Sequence, residues 1–133
     1  VAATQIRVLI ADDHPVVRIG LRNMLQSDTN IKVIAEAKDG VEALHMVRTL
    51  RPDILLLDLA MPKMPGLEAL RELTGNSGDT RTIVLTGQID KRQILEALQL
   101  GARGVVLKDA AVAHLSACIR AVIQGQYWLE GRP

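Results

Sequence analysis

With 133 residues, the chain is long enough for one domain with a real core and too short for two comfortable ones. Apolar residues at 48% and charged residues at 23% exclude a disordered chain, and a net charge of +1 leaves it no nucleic-acid footprint of its own. A single cysteine excludes an internal disulfide and suits a reducing cytoplasm, while no apolar run reaches membrane-spanning length and no signal segment opens the chain, so no membrane partner is expected.

The first predicted strand is Ile6 to Ala11, ending in Asp12-Asp13-His14-Pro15, where a proline suits the start of a helix. That helix carries Val17, Leu21, Met24 and Leu25 on one face. After a turn at Ser27 to Asn30, Ile31 to Ala37 reads as a second strand. Asp39-Gly40-Val41-Glu42 has capping-box spacing, and behind it Val41, Leu44 and Val47 mark a helix that stops before Pro52. Ile54 to Leu57 is apolar without alternation, which reads as a strand buried on both faces, and Asp58 stands where it gives out.

Gly66 opens a short helix with Leu67, Leu70 and Leu73 on one side, and Gly75 to Asp79 is a polar loop. Arg81 to Thr86 is the fourth strand, Ile94, Leu95 and Leu98 define the fourth helix, and Gly104 to Lys108 is the fifth strand. Val112, Leu115, Ile119, Val122 and Ile123 mark the last helix, followed by Gly125. Alternating strands and helices imply one α/β domain of flavodoxin-like (βα)5 type: a doubly wound parallel sheet in the order 2-1-3-4-5.

In that order the ligand crevice lies at the carboxyl ends of strands one and three. The first ends in Asp12 and Asp13, the third in Asp58, the fourth in Thr86 and the fifth in Lys108. Clustered carboxylates repel one another and need a cation, and hard oxygen ligands favour Mg²⁺ that shares a phosphate. A lysine and a hydroxyl complete a kit for phosphoryl transfer, which is mostly positioning and charge neutralisation. Asp58, the single carboxylate on the central strand, is the expected nucleophile. Asp13 is expected to bind the metal directly, Asp12 directly or through a water, and the Ala60 backbone carbonyl can complete the coordination.

These residues resemble the receiver domain of bacterial two-component response regulators: Asp12-Asp13, Asp58 with Met61-Pro62 and Gly66, Thr86-Gly87, and Lys108, all in order at strand ends. The wording Asp-Asp-His-Pro-Val-Val-Arg and Gly-Ala-Arg-Gly-Val-Val-Leu-Lys-Asp-Ala is similar to the NarL/FixJ branch. The resemblance covers residues 6–124 and implies that a sensor histidine kinase passes its phosphoryl group to Asp58 with Mg²⁺. It further implies that Thr86 swings toward one phosphoryl oxygen as the switch and that Lys108 contacts another. It implies a cytoplasmic regulator of transcription, binding DNA only through a C-terminal helix-turn-helix domain. Residues 125–133 are expected to begin the linker to that domain, with the present chain a receiver fragment.

Two departures change the expectation. Val105 and Val106 stand where many receivers carry a Tyr or Phe, so Thr86 is expected to act with an aliphatic partner only. Asp109 follows the lysine where many receivers have a cis proline, so a trans bond is expected. Phosphorylation is expected to build or expose a homodimer face, with the fifth helix as candidate. His14 is read as a loop residue, His45 and His114 as surface residues, Cys118 as a structural thiol, and Tyr127 and Trp128 as folding back onto the domain. The chain is not expected to be an enzyme beyond its own phosphorylation and slow dephosphorylation. A phosphatase of haloacid-dehalogenase type needs a second Asp where Ala60 stands, and a pseudo-receiver would lack the acceptor set present here.

Overall fold

In the computed structural model, residues 5–75, 78–88 and 90–130 are described, with every side chain except that of Val112. The expectations for the Val112 side chain, for positions 76 and 77 of the polar loop and for residues 131–133 therefore lie outside the described residues. The elements are β1 (Ile6–Ala11), α1 (Pro15–Gln26), β2 (Ile31–Ala37), α2 (Gly40–Leu50), β3 (Ile54–Asp58), α3 (Gly66–Leu73), β4 (Arg81–Thr86), α4 (Lys91–Gln99), β5 (Gly104–Leu107), α5 (Ala111–Ile123) and β6 (Trp128–Leu129). All strands run parallel in one sheet of order β2-β1-β3-β4-β5-β6. No described helix is long and apolar enough to cross a membrane.

The pleat sends alternate residues to opposite layers. Leu9, Leu55, Leu57, Val84 and Val105 join Leu44, Val47, Leu70, Leu73 and Ala97 beneath α2, α3 and α4. Val8, Ile10, Leu56, Leu85 and Val106 join Leu21, Leu25, Leu115, Ile119 and Val122 beneath α1 and α5. With β3 buried on both faces, the non-alternating run Ile54 to Leu57 is accounted for. Two residues assigned to apolar helix faces stand outward instead: Val41 is 51% exposed and Leu95 59%. Val41 lies in the first turn of α2, and α4 sends Ala97 and part of Ile94 to the core.

Local chemistry sets the helix ends. Asp39 caps α2, its Oδ1 accepting from the Glu42 N–H at 2.8 Å, while Glu42 Oε1 accepts from Lys38 N at 2.9 Å. The α2 C-terminus closes through Arg51 in the left-handed region (φ 49°), and the Arg7 guanidinium donates to the otherwise orphaned carbonyls of Leu50 and Arg51, both at 2.8 Å. Gly20, in the interior of α1, has open space around the position of a Cβ. Gly20→Ala should therefore raise stability by about 0.5–1 kcal/mol, read as a higher midpoint in urea melts with an unchanged slope.

Two element boundaries differ from those expected. Lys108 is not a strand residue: β5 ends at Leu107, and Lys108 opens a 3-10 turn, Lys108–Ala110, that leads into α5. The sheet also has a sixth strand within the segment assigned to a linker. Gly125 takes φ 90°, the chain turns back, and Trp128 N donates to Arg103 O at 3.0 Å and Glu130 N to Val105 O at 3.1 Å. A two-residue strand is too short for periodicity to announce. Trp128 folds back onto the core beneath α1 and α5, whereas Tyr127 stays 61% exposed with the Arg103 guanidinium 5.2 Å from its ring centroid.

Three of the apolar residues that suggested the fifth helix as a dimer face point inward. Leu115, Ile119 and Val122 are fully buried against the sheet of their own chain. The bond from Lys108 to Asp109 is trans, as expected, since the described residues contain no cis peptide.

Candidate functional site

The strand register brings the acids together. Ala11 pairs with Leu57, so the next residues, Asp12 and Asp58, leave the sheet side by side. Asp58 in turn pairs with Leu85, and Thr86 with Leu107, which places Thr86 and Lys108 on the same edge. Gly66 holds the far wall. Its N–H donates to Leu59 O at 3.0 Å, and a Cβ there would lie 2.4 Å from Asp58 O. Only a glycine lets the start of α3 lie this close to the Asp58 backbone.

Asp12 and Asp58 are almost wholly buried, and Lys108 Nζ sits 2.9 Å from Asp12 Oδ2 and 3.2 Å from Asp58 Oδ2. The Ala60 N–H donates to Asp58 Oδ1 at 3.1 Å. His14 Nδ1 lies 3.0 Å from Asp12 Oδ1 and 3.1 Å from Asp13 Oδ1, and the His14 backbone N–H also donates to Asp12 Oδ1, at 2.9 Å. Neither aspartate caps α1, whose N-cap residue is His14 without a side-chain bond.

Three oxygens, Asp12 Oδ2, Asp13 Oδ1 and Asp58 Oδ2, are buried acceptors that receive no directed hydrogen bond, although Lys108 or His14 stands within ion-pair reach of each. Buried anionic oxygens without donors are costly. One ligand atom from each of Asp12, Asp13, His14 and Asp58 lies within 4.8 Å of the others. Oxygens around an octahedral Mg²⁺ sit about 3–4 Å apart, so the donor set fits a hard divalent cation with little closure.

The structure thus brings Asp12, Asp13, Asp58 and Lys108 together. Ala60 contacts the cluster through its N–H. Thr86 reaches the same edge but is engaged elsewhere: its Oγ1 donates to Gln88 O at 2.7 Å. Val105 and Val106 are fully buried in opposite layers. Two contributors go beyond the sequence reading. His14 lies in the loop after β1, as expected, and its ring also stands against both acids. Arg18 donates to the Asp12 carbonyl at 2.6 Å, and a backbone partner leaves no trace in a side-chain pattern.

Burial pushes the Asp58 carboxyl above its ordinary 3.8 and the Asp12 charge adds to this, while the Ala60 N–H and Lys108 pull the other way. For Lys108, burial favours the neutral amine, but Asp12 and Asp58 together outweigh it and its pKa rises above 10.5. The lysine sees two anions; Asp58 sees one lysine, one rival carboxylate and little water. An unfolded carboxyl ionises near 3.8, before the folded one. Between those values the folded state holds more protons, so stability is lost as pH rises from 3.8 through the folded pKa. The melting temperature of Asp58→Asn should exceed that of wild type without divalent ions at neutral pH, and the gap should close as pH falls below 3.8. Cys118 is fully buried, its thiol pushed up to about 12 chiefly by burial, with Glu130 adding to it, which makes it a structural thiol.

The family model described as the response regulator receiver domain matches residues 8–120. The chain belongs to this family. The receiver domain is 39% identical over 127 residues to the transcriptional regulatory protein LiaR of Bacillus subtilis, covering 96% of this chain and 60% of LiaR. It is 37% identical over 124 residues to the response regulator UvrY of Escherichia coli, covering 93% and 57%. It thus spans about 60% or less of the length of these curated relatives. The receiver domain of the putative response regulator NarL from Mycobacterium tuberculosis superposes with a TM-score of 0.87 at 30% identity, covering 92% of this chain and 99% of that one. The isolated RcsB receiver domain from Salmonella enterica serovar Typhimurium, in the presence of the phosphomimetic BeF3−, gives 0.87 at 27% identity, covering 96% and 95%. These relatives place the receiver domain in the NarL/FixJ branch.

Proposed function

We propose that Asp58 accepts a phosphoryl group from a sensor histidine kinase in a Mg²⁺-dependent reaction, and that this switches an attached DNA-binding output domain in the cytoplasm. The observation that carries it is the convergence of carboxylate oxygens from Asp12, Asp13 and Asp58 at the carboxyl edge of the sheet, with Lys108 the one lysine against them among the described residues. Asp12, Asp13 and Asp58 would hold the cation, with the Ala60 carbonyl as a further ligand. Bound there, the cation supplies charge neutralisation for the carboxylates and for the incoming phosphoryl oxygens.

The remaining work belongs to the chain itself. The Ala60 N–H fixes the Asp58 carboxylate by holding Oδ1. A carboxylate oxygen of Asp58 attacks phosphorus, the bond from phosphorus to the kinase imidazole nitrogen breaks, and the nitrogen keeps that electron pair. Lys108 is already placed against Asp58 Oδ2 and exchanges part of that contact for a phosphoryl oxygen. Thr86 must give up its bond to Gln88 O to donate to another, so the loop after β4 moves with it. Val105 and Val106 of β5 are buried and offer no aromatic ring to move with it.

Asp58 is an acceptor that turns over slowly, because Ala60 stands where a general acid would speed release. Incubation with acetyl phosphate and Mg²⁺ should add one phosphoryl mass to the intact chain, and chelation with EDTA should prevent it. No gain in mass where other receivers are labelled would refute the reading. We further propose that phosphorylation favours a homodimer; sedimentation of the labelled and unlabelled chain tests this, and one unchanged species in both would exclude it.

A further inference from the structure

Asp12, one residue past the end of β1, is still tied to β2: its N–H donates to Ala37 O at 3.0 Å. Its carbonyl belongs to the peptide that joins Asp12 to Asp13. That carbonyl finds little help in its own turn, because the His14 N–H is taken by Asp12 Oδ1 and Pro15 has no N–H to give. The donor comes from one turn into α1, where Arg18 Nη1 donates to Asp12 O at 2.6 Å.

The same guanidinium is itself held. Arg18 Nε donates to Glu36 Oε1 on β2 at 3.1 Å, both side chains being only 17% exposed. The other carboxylate oxygen of Glu36 pairs with Arg22, one turn further along α1. A line of charge-assisted contacts thus runs from Arg22 through Glu36 and Arg18 to the Asp12 peptide, joining α1, β2 and the end of β1. A planar guanidinium suits this because its fork has fixed angles, so fixing one arm aims the other.

We propose that Arg18 is a positioning residue for the acidic cluster, holding the Asp12–Asp13 peptide plane so that both carboxylates face Asp58. The proposal rests on the reading that the cluster binds a divalent cation. Charge and position make opposite predictions here. Arg18 is a cation beside an anionic site, so deleting it should tighten divalent binding if its charge alone mattered. Deleting a support that aims two ligands should weaken it, by about tenfold on the scale of outer supports to metal ligands.

The test is binding of Mn²⁺, followed by the electron paramagnetic resonance of the free ion, and of Mg²⁺ by calorimetry. Wild type, R18A, R18K and E36Q are compared, each first shown by circular dichroism to be folded. R18A and R18K should both bind about tenfold more weakly, R18K because it keeps the charge and loses the fork. E36Q should show a smaller loss in the same direction. At saturating Mg²⁺ the labelling rate of R18K with acetyl phosphate should return to near the wild-type value, a split that a general loss of stability would not produce. If R18A fails to fold, R18K and E36Q carry the test. Affinity in R18K equal to wild type, or tighter binding in R18A, overturns the proposal alone. Absence of saturable binding in wild type overturns the metal reading, and the proposal with it.

Discussion

Asp58→Asn is expected to cut phosphoryl labelling by more than about a thousandfold, since the neighbouring carboxylates of Asp12 and Asp13 would be engaged by the cation, while leaving the domain at least as stable. The two halves of this result come from one cause. Asp58 is almost fully buried, and burial together with the Asp12 charge makes its ionised form unfavourable in the folded chain. The amide keeps the shape, can still accept from the Ala60 N–H, and carries no charge to bury. Lys108 retains Asp12 at 2.9 Å, so it is not left without a counter-ion. Intact-mass labelling and thermal melts on the same samples give both readings. A stable variant that still takes up the phosphoryl group at the wild-type rate would show that the acceptor lies elsewhere. A variant much less stable than wild type at neutral pH would show that the charge is a net support of the fold.

The second large effect is expected at a residue with no functional group. Gly66→Ala should cost about 3 kcal/mol, at the upper end for an overpacked site, and slow labelling by about a hundredfold through displacement of the acceptor. The new methyl carbon would lie 2.4 Å from Asp58 O and 2.7 Å from Leu59 Cα, and backbone cannot swing aside as a side chain can. The loop between β3 and α3 has little freedom to yield. Lys63 already takes φ 65°, and Gly40 lies so close to this loop that its own Cβ would meet Met64 O at 2.3 Å. Relief therefore comes by moving Asp58 or the start of α3. Denaturant melts and the initial labelling rate separate the two costs. A rate that falls only in proportion to the folded fraction would show that the acceptor keeps its place.

Much of this was legible before any coordinates. The apolar run Ile54 to Leu57 can be satisfied only by a strand covered on both sides, and that one inference places Asp58 at the centre of the sheet. The rule for open α/β sheets then puts Asp12 and Asp13 beside it. What stayed hidden has physical reasons. The last strand is two residues long and is held by main-chain bonds to Arg103 and Val105, which no side-chain pattern reveals. The apolar residues of α5 identify a buried face but not what covers it, and their own sheet does. Thr86 shows the same limit: its position at the edge was readable, but the bond to Gln88 that turns its hydroxyl away was not. Arg18 acts on a carbonyl, and every residue has one.

Phosphoryl transfer to Asp58 requires acids distant in the sequence to share one ion. The most direct measurement is an anomalous difference map from crystals of this domain soaked in Mn²⁺. A single strong peak is expected within coordination distance of carboxylate oxygens from Asp13 and Asp58, with Asp12 bound directly or through one water. A map with no peak there, or with its manganese held by other residues while these carboxylates face only Lys108, would contradict it.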